Sequence, residues 1–385
     1  METGGDEHSG PETDELGFLL PHLTEQQQAD RQRSHNAAGA LGREEWTRAR
    51  IKRRLPRPRV LKKLLRKGGV PADLRPWVWF EISGASSLKA SRPPAYYSDL
   101  VAASNEGCAC ARQIELDLPR TFVNHPWLMA PEGQAVLRTV LLAFSLHDPK
   151  LGYCQGLNYV AALFLLASGQ DSERAFWLLA AMVGRVVAAN TYGSNLVGCH
   201  SEMRTLGVLM EKKMPRLHKH FQDLGCDVSI IATDWFLCLF ATSLPPEVAA
   251  RVWDVLLYEG SKILFRTSLA LLKTYEALLI TMDNSGELMH ALKHSTGQLW
   301  AADRLLSTAF KGIGGLPRAQ LDRIRRKQHA QVAMMLRERE AKRMAADRQQ
   351  QQEQQGKHQE EQPGKKQRGA ARKPARLANG TDRQG

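Results

Sequence analysis

Arg120 and Gln155 stand 35 residues apart, each inside a short run whose residue types suit phosphoryl chemistry. The first run is Ile114-Glu115-Leu116-Asp117-Leu118-Pro119-Arg120-Thr121; the second is Gly152-Tyr153-Cys154-Gln155-Gly156. A guanidinium offers fixed positive charge in a planar fork, suited to the charge that builds as a γ-phosphoryl group leaves. A Gln amide has both a donor and an acceptor, so it can bridge an attacking water and a phosphoryl oxygen. GTP hydrolysis on a small GTPase needs these two parts most. The chain has no phosphate-binding glycine loop, so the nucleotide would have to arrive on a partner.

Each residue also has a plainer reading. A single Arg is usually a solvated surface charge, and a Tyr such as Tyr153 packs more often than it binds. Asp117, three residues before Arg120, fits either a helix cap or a partner for the guanidinium. Ile114 and Leu116 read as packing residues, Cys154 as inert filler, and Trp235 and Trp253 as core anchors. His125 lies near Arg120, but a loop His has no proton to move in this chemistry and is assigned a structural part.

The elements that must hold these residues read as helices. Residues 73–82 form one, with Trp77 and Phe80 expected inward. Residues 133–146 form another, broken by His147-Asp148-Pro149, and residues 155–167 a third that is strongly apolar, its run from Leu157 broken only by Asn158. Asp171 or Ser172 caps the next, and Pro215 opens a further one. Residues 235–240, 248–257 and 263–280 are also helical by pattern. No alternating strand-and-turn rhythm occurs, so the fold class is all-α: a single multi-helical domain with polar extensions.

Net charge is +13, but it is unevenly placed. Residues 1–45 carry −7, residues 46–67 carry +11, residues 68–317 carry −1 and residues 318–385 carry +10. A nucleic-acid binder would place basic charge on the domain with aromatics interleaved, and here the domain is neutral. The basic segments fit either a solvated charge run or contact with an anionic membrane surface. The first 45 residues are acidic and polar, and are expected to be mostly disordered. Within them Glu15-Leu16-Gly17-Phe18-Leu19-Leu20 is an apolar island that could dock on the domain. Segment 46–67 is basic, 68–317 the domain, 318–348 a charged helix, and 349–385 a Gln-rich and basic tail expected to be disordered. The run from Leu157 to Ala167 is too short to span a bilayer, and no secretory signal is visible. Six scattered cysteines, at 108, 110, 154, 199, 226 and 238, lack zinc spacing and suit a reducing compartment.

Four blocks in order resemble the TBC-domain Rab GTPase-activating proteins, over about residues 69–290. Gly69-Val70-Pro71 with Leu74-Arg75 and Trp79 resembles the family's opening block. Ile114, Asp117, Arg120 and Thr121 match its arginine-finger block; Tyr153, Gln155, Gly156 and Asn158 match its glutamine-finger block. Trp235-Phe236-Leu237, Pro245-Pro246, Arg251-Val252-Trp253-Asp254 and Glu259-Gly260 match its closing block. The blocks resemble those of compact single-domain members. The resemblance implies an all-helical fold that supplies Arg120 and Gln155 in trans to a GTP-bound Rab, with no reaction of its own. GTP and Mg would be carried by the partner, with no cofactor or metal held by this chain. Asp117, Thr121, Tyr153, Gly156 and Asn158 would support the fingers or touch the GTPase, Tyr153 fixing finger geometry and the partner's switch region, and Gly156 allowing close backbone approach. The family implies a cytoplasmic protein, peripheral on endomembranes and active in membrane trafficking. The alternative is a TBC scaffold that binds a GTPase or effector without stimulating it; loss of either finger would favour it, and both are present. Val123 and Leu157 depart from the family pattern, where proline and methionine are common, and neither position supplies chemistry.

Overall fold

The computed structural model describes residues 12–40, 42–104, 110–193 and 195–360 of the 385-residue chain. The chain divides into two units, one ending at Met334 and the other beginning at Met335. Among the described residues there is no strand, only an isolated bridge between Thr13 and Leu19.

Three helices lead in: α1 (Glu25–Ala40), α2 (Arg43–Lys52) and α3 (Pro58–Lys67). Next come α4 (Arg75–Ile82), α5 (Ala85–Ala90), α6 (Tyr96–Ser104), α7 (Ala111–Asp117) and the single turn α8 (Pro126–Met129). The centre is α10 (Leu157–Ala167), packed between α9 (Pro131–His147) and α11 (Ser172–Ala181). All of its residues except Tyr159 and Leu166 are buried, as a helix apolar on every face must be. A second layer holds α12 (Val197–Lys213), α13 (Pro215–Asp223) and α14 (Val228–Leu237). Then follow α15 (Pro246–Glu259), α16 (Lys262–Thr274), α17 (Glu276–Leu279), α18 (Ser285–Gly297) and α19 (Ala302–Ser307). The last helix, α20 (Arg318–Glu360), buries Leu321, Ile324 and Val332. The Phe164 ring on α10 lies 4.7 Å from that of Trp253 on α15 and 6.0 Å from that of Trp79 on α4. The apolar signal at the matched blocks is thus one continuous core.

Several elements differ from the sequence expectation. Residues 12–40 are not an unstructured leader: Phe18 and Leu23 are buried, and α1 is a regular helix. Composition misled here because α1 is polar on every face and is held by local and ionic contacts instead. Thr24 and Gln27 form a reciprocal capping box, Thr24 N–H to Gln27 Oε1 at 2.9 Å and Gln27 N–H to Thr24 Oγ1 at 3.3 Å. Arg31 Nε then reaches buried Glu247 at 3.0 Å. In the basic segment, Trp46 is buried and donates to the Gly69 carbonyl at 3.1 Å. On α4 the inward residues are Val78 and Trp79, while Trp77 and Phe80 are only half-buried. The expected helix over residues 235–240 begins earlier and ends at Leu237; Leu239 and Phe240 take positive φ values of 51° and 68°. The long helix expected over residues 263–280 breaks at Tyr275, whose hydroxyl donates to Ser295 O at 2.8 Å. α20 runs through the Gln-rich stretch, since Gln, Arg and Glu are good helix formers. Residues 361–385, and Cys108, lie outside the described residues.

Candidate functional site

α7 ends at Asp117, and Pro119 turns the chain through a 3₁₀ step over Leu118–Arg120. Asp117 is fully buried while half of the Arg120 side chain is exposed. One Asp117 oxygen pairs with Arg120 Nη2 and accepts from Gln113 Nε2 at 3.2 Å. The other accepts from the Tyr153 hydroxyl at 2.5 Å. Of the two readings its position allowed, Asp117 is the partner for Arg120; its side chain makes no helix-cap bond. Glu115, exposed on α7, is paired to Arg138 of α9 through two hydrogen bonds of 2.5 and 2.9 Å, and this bond holds its carboxyl below the usual range.

A second line of hydrogen bonds runs parallel to the first. Asn158 Nδ2 donates to Thr121 Oγ1 at 2.8 Å, and Thr121 Oγ1 donates to the Asp117 carbonyl at 2.7 Å. Asn158 Oδ1 accepts the Gly156 N–H at 3.1 Å. The Tyr159 hydroxyl donates to the Arg120 carbonyl at 3.1 Å. Both turns are thus locked together by buried polar groups, each of them satisfied. Gln155 stands exposed on its turn, and its amide has no partner among the described residues.

Electrostatics keep the supports in one protonation state. Burial, followed by the bond to Asp117, pushes the Tyr153 phenol well above its usual range, so it stays a donor. Burial raises the Cys154 thiol to about 11, leaving it protonated and unreactive. Burial lowers the His125 imidazole; its Nδ1 accepts from Leu128 N at 3.2 Å and its Nε2 donates to Leu16 O at 3.0 Å. That is a structural His.

Residues 72–280 match the Rab-GTPase-TBC domain family. The crystal structure of the Chlamydomonas flagellar RabGAP TBC domain is 40% identical with a TM-score of 0.72, covering 78% of this chain and 99% of that one. The chain belongs to the Rab-GTPase-TBC domain family. TBC1 domain family member 2A of Mus musculus is 39% identical over 286 residues, which is 72% of this chain and 30% of the relative. The chain thus spans about a third of the length of that curated relative. The Ypt/Rab-GAP domain of Gyp1p, at 21% identity and TM-score 0.57, shares the fold.

In this TBC domain the opening and closing blocks meet at one buried carboxylate. Asp254 accepts from Trp79 Nε1 at 2.7 Å, Val70 N at 3.0 Å, Arg75 Nε at 3.3 Å and Arg251 Nη1 at 3.3 Å. Gly69, at φ +81°, lies so close that a Cβ would stand 2.6 Å from Asp254 Oδ2. Trp253 Nε1 donates to Leu239 O at 2.8 Å, and Tyr192 to Leu237 O at 2.9 Å. The Leu237 carbonyl also faces Gly156, where φ is +103° and a Cβ would meet that oxygen at 3.2 Å. Gly156 is buried, and the close approach this structure shows is to the domain's own loop. Asp117, Thr121 and Asn158 are likewise buried and make the bonds described. Tyr153 is half-buried; Val123 is exposed and Leu157 is core. Sequence reasoning passed over Tyr159 and Gln113. Tyr159 carried a signal, being with Asn158 one of two polar-tipped residues in an otherwise apolar helix. Gln113 lies one helical turn before Asp117.

Proposed function

We propose that this TBC domain accelerates GTP hydrolysis by a Rab-family GTPase, with Arg120 and Gln155 entering the partner's nucleotide site. The observation that carries this reading is the pair of exposed polar tips on two turns joined through Asp117, Tyr153, Thr121 and Asn158. Arg120 would exchange part of its pairing with Asp117 for the developing phosphoryl charge; Gln155 would hold the attacking water. GTP and Mg belong to the GTPase, and the chain catalyses no reaction alone. A screen of single-turnover hydrolysis across purified GTP-loaded Rabs tests it. One or more Rabs should respond to the wild-type protein, and Arg120→Ala should lose roughly 10³-fold of that stimulation. Stimulation by folded Arg120→Ala at the wild-type level would refute the assignment.

We further propose that the basic segment contacts an anionic membrane surface. Arg53, Arg54, Arg57, Arg59, Lys62 and Lys63 are all exposed. Arg59 and Lys62 also line a cavity of about 710 Å³ with Arg185, Lys262, Arg318 and Arg325, against the single carboxylate of Glu259. Burial, then the charge of Arg266, depresses the Lys262 ammonium, with Glu259 acting in the opposite direction.

A further inference from the structure

We infer that the strap from Asp14 to Leu20, which precedes the family-matched span, is a working part of the arginine loop, and that Phe18 is the residue through which it positions Arg120. The inference rests on the two-finger reading above. Two residues beyond Arg120, Phe122 has a φ of +53°. A non-glycine residue holds that conformation only when its surroundings over-determine it. Here two aromatic edges do so. Phe18 meets the Phe122 ring edge-on at 5.0 Å, and Tyr159 meets it edge-on at 5.2 Å. Tyr159 is the same residue that bonds the Arg120 carbonyl. The loop is therefore clamped between a ring from α10 and a ring from the strap.

The strap also pins the far end of that loop. Leu19 N–H donates to Asn124 O at 3.2 Å, and Leu16 O accepts from His125 Nε2 at 3.0 Å. Phe18 lies 4.8 Å from the His125 ring, again edge-on, and is buried. Its own backbone is fixed by Asp14, whose Oδ1 accepts from Leu16 N at 2.8 Å and Phe18 N at 3.0 Å. The Glu15–Arg75 ion pair ties the strap to α4. Gly17 at φ +87° lets the strap approach so closely that a Cβ would stand 2.9 Å from His125 Nε2. Thr121 is pinned by Asn158 and Asn124 by Leu19, so the backbone carrying Arg120 has little room to drift. Phe18 never reaches the reacting atoms. It is a positioning residue, acting through Phe122.

The test is steady-state stimulation of the best-responding Rab by the full chain. Phe18→Ala should lower kcat about tenfold or more, because a finger displaced by an ångström loses its contacts at the transition state. KM for the GTP-loaded Rab should stay within about twofold. Phe18→Leu, which refills the space, should recover most of kcat. In an Arg120→Ala background, Phe18→Ala should have no further effect, since both act on one group. Gly17→Ala should reproduce the kcat loss without emptying the core, and with Phe18→Leu it decides the matter should Phe18→Ala fail to fold. A folded Phe18→Ala or Gly17→Ala protein with wild-type kcat, or a loss confined to KM, overturns the inference. If Arg120→Ala is inactive while the strap variants are unimpaired, this inference alone fails. If Arg120→Ala is fully active, the two-finger reading fails first.

Discussion

Tyr153 and Arg120 share one buried carboxylate: the phenol holds one oxygen of Asp117 and the guanidinium holds the other. Each therefore sets where the other sits. Removing the hydroxyl in Tyr153→Phe leaves a buried charged acceptor short of a donor, which should cost about 1.5–3 kcal/mol of stability. It should also loosen Arg120 and reduce stimulated hydrolysis by roughly tenfold. Urea unfolding and single-turnover hydrolysis on the same preparation separate the two effects. An unchanged rate would mean that Asp117 orients Arg120 without help from Tyr153.

Gln155 has no partner among the described residues, so Gln155→Ala should leave thermal stability within about 0.5 kcal/mol. Stimulation should collapse. If this amide positions water, a Rab whose own switch Gln is replaced by Ala should still respond to the wild-type chain. Failure of that Rab to respond would return the water-positioning role to the GTPase.

Asp254 is the buried acceptor for Trp79, Arg75, Arg251 and the Val70 amide. Asp254→Ala removes the carboxylate that Arg75 and Arg251 share and leaves them Glu15 and Asp303 respectively, so the loss should reach at most the roughly 3–5 kcal/mol of a broken buried pair. Chemical denaturation should show this loss. Activity per folded molecule should survive, because the node does not touch either finger turn.

Asp14 gives the strap a pH dependence. Burial raises its carboxyl from 3.8 to about 6 in the folded protein, and its Oδ2 has no hydrogen-bond partner among the described residues. An acid whose folded value is raised favours folding when protonated. The contribution is fully present below the unfolded value and is lost as pH rises through about 6. Relative to Asp14→Asn, the wild type should therefore gain stability as pH falls from about 7 to about 4.5. Nearby Glu15 and Glu247 raise the value further. Parallel melting curves for the two proteins across that range would refute this.

Neutral replacement of Arg53, Arg54, Arg57, Arg59, Lys62 and Lys63 should weaken binding to anionic vesicles by about 1 kcal/mol per charge. Raised salt should mimic the change, given a Debye length of about 8 Å at physiological strength. Activity toward soluble Rab should not move. A matching loss in solution would place these residues against the GTPase instead.

Part of the geometry around Arg120 could be read from residue spacing. Asp117 and Arg120 are three apart on a helical turn, so their pairing was one of two local options. The Asp117–Tyr153 bond joins residues 36 apart, and no local pattern encodes such a contact. The all-helical core was legible because α9, α10, α15 and α16 carry continuous apolar signal. The apolar island around Phe18 was legible as a docking segment, but α1 was not, since its stability comes from a capping box and the ion pair to Glu247 and not from average composition. The Thr24–Gln27 box was present in the letters and was outweighed by the polar tract around it. The left-handed turn at Phe122 has no sequence signature, because Phe has no intrinsic preference for that conformation.

The Asp254 node also sets a schedule for synthesis. Trp79 precedes its acceptor by 175 residues and Val70 by 184. At about 5–20 residues per second, the opening block leaves the ribosome on the order of 10–35 s before Asp254 exists. Through that interval Trp79 lacks its acceptor and Arg75 has only Glu15 as a counter-charge, while α10 has α9 to pack on but not yet α15. The nascent chain therefore offers a long-lived binding window to holdases, and translation halted before Asp254 yields a chain that cannot close its own core.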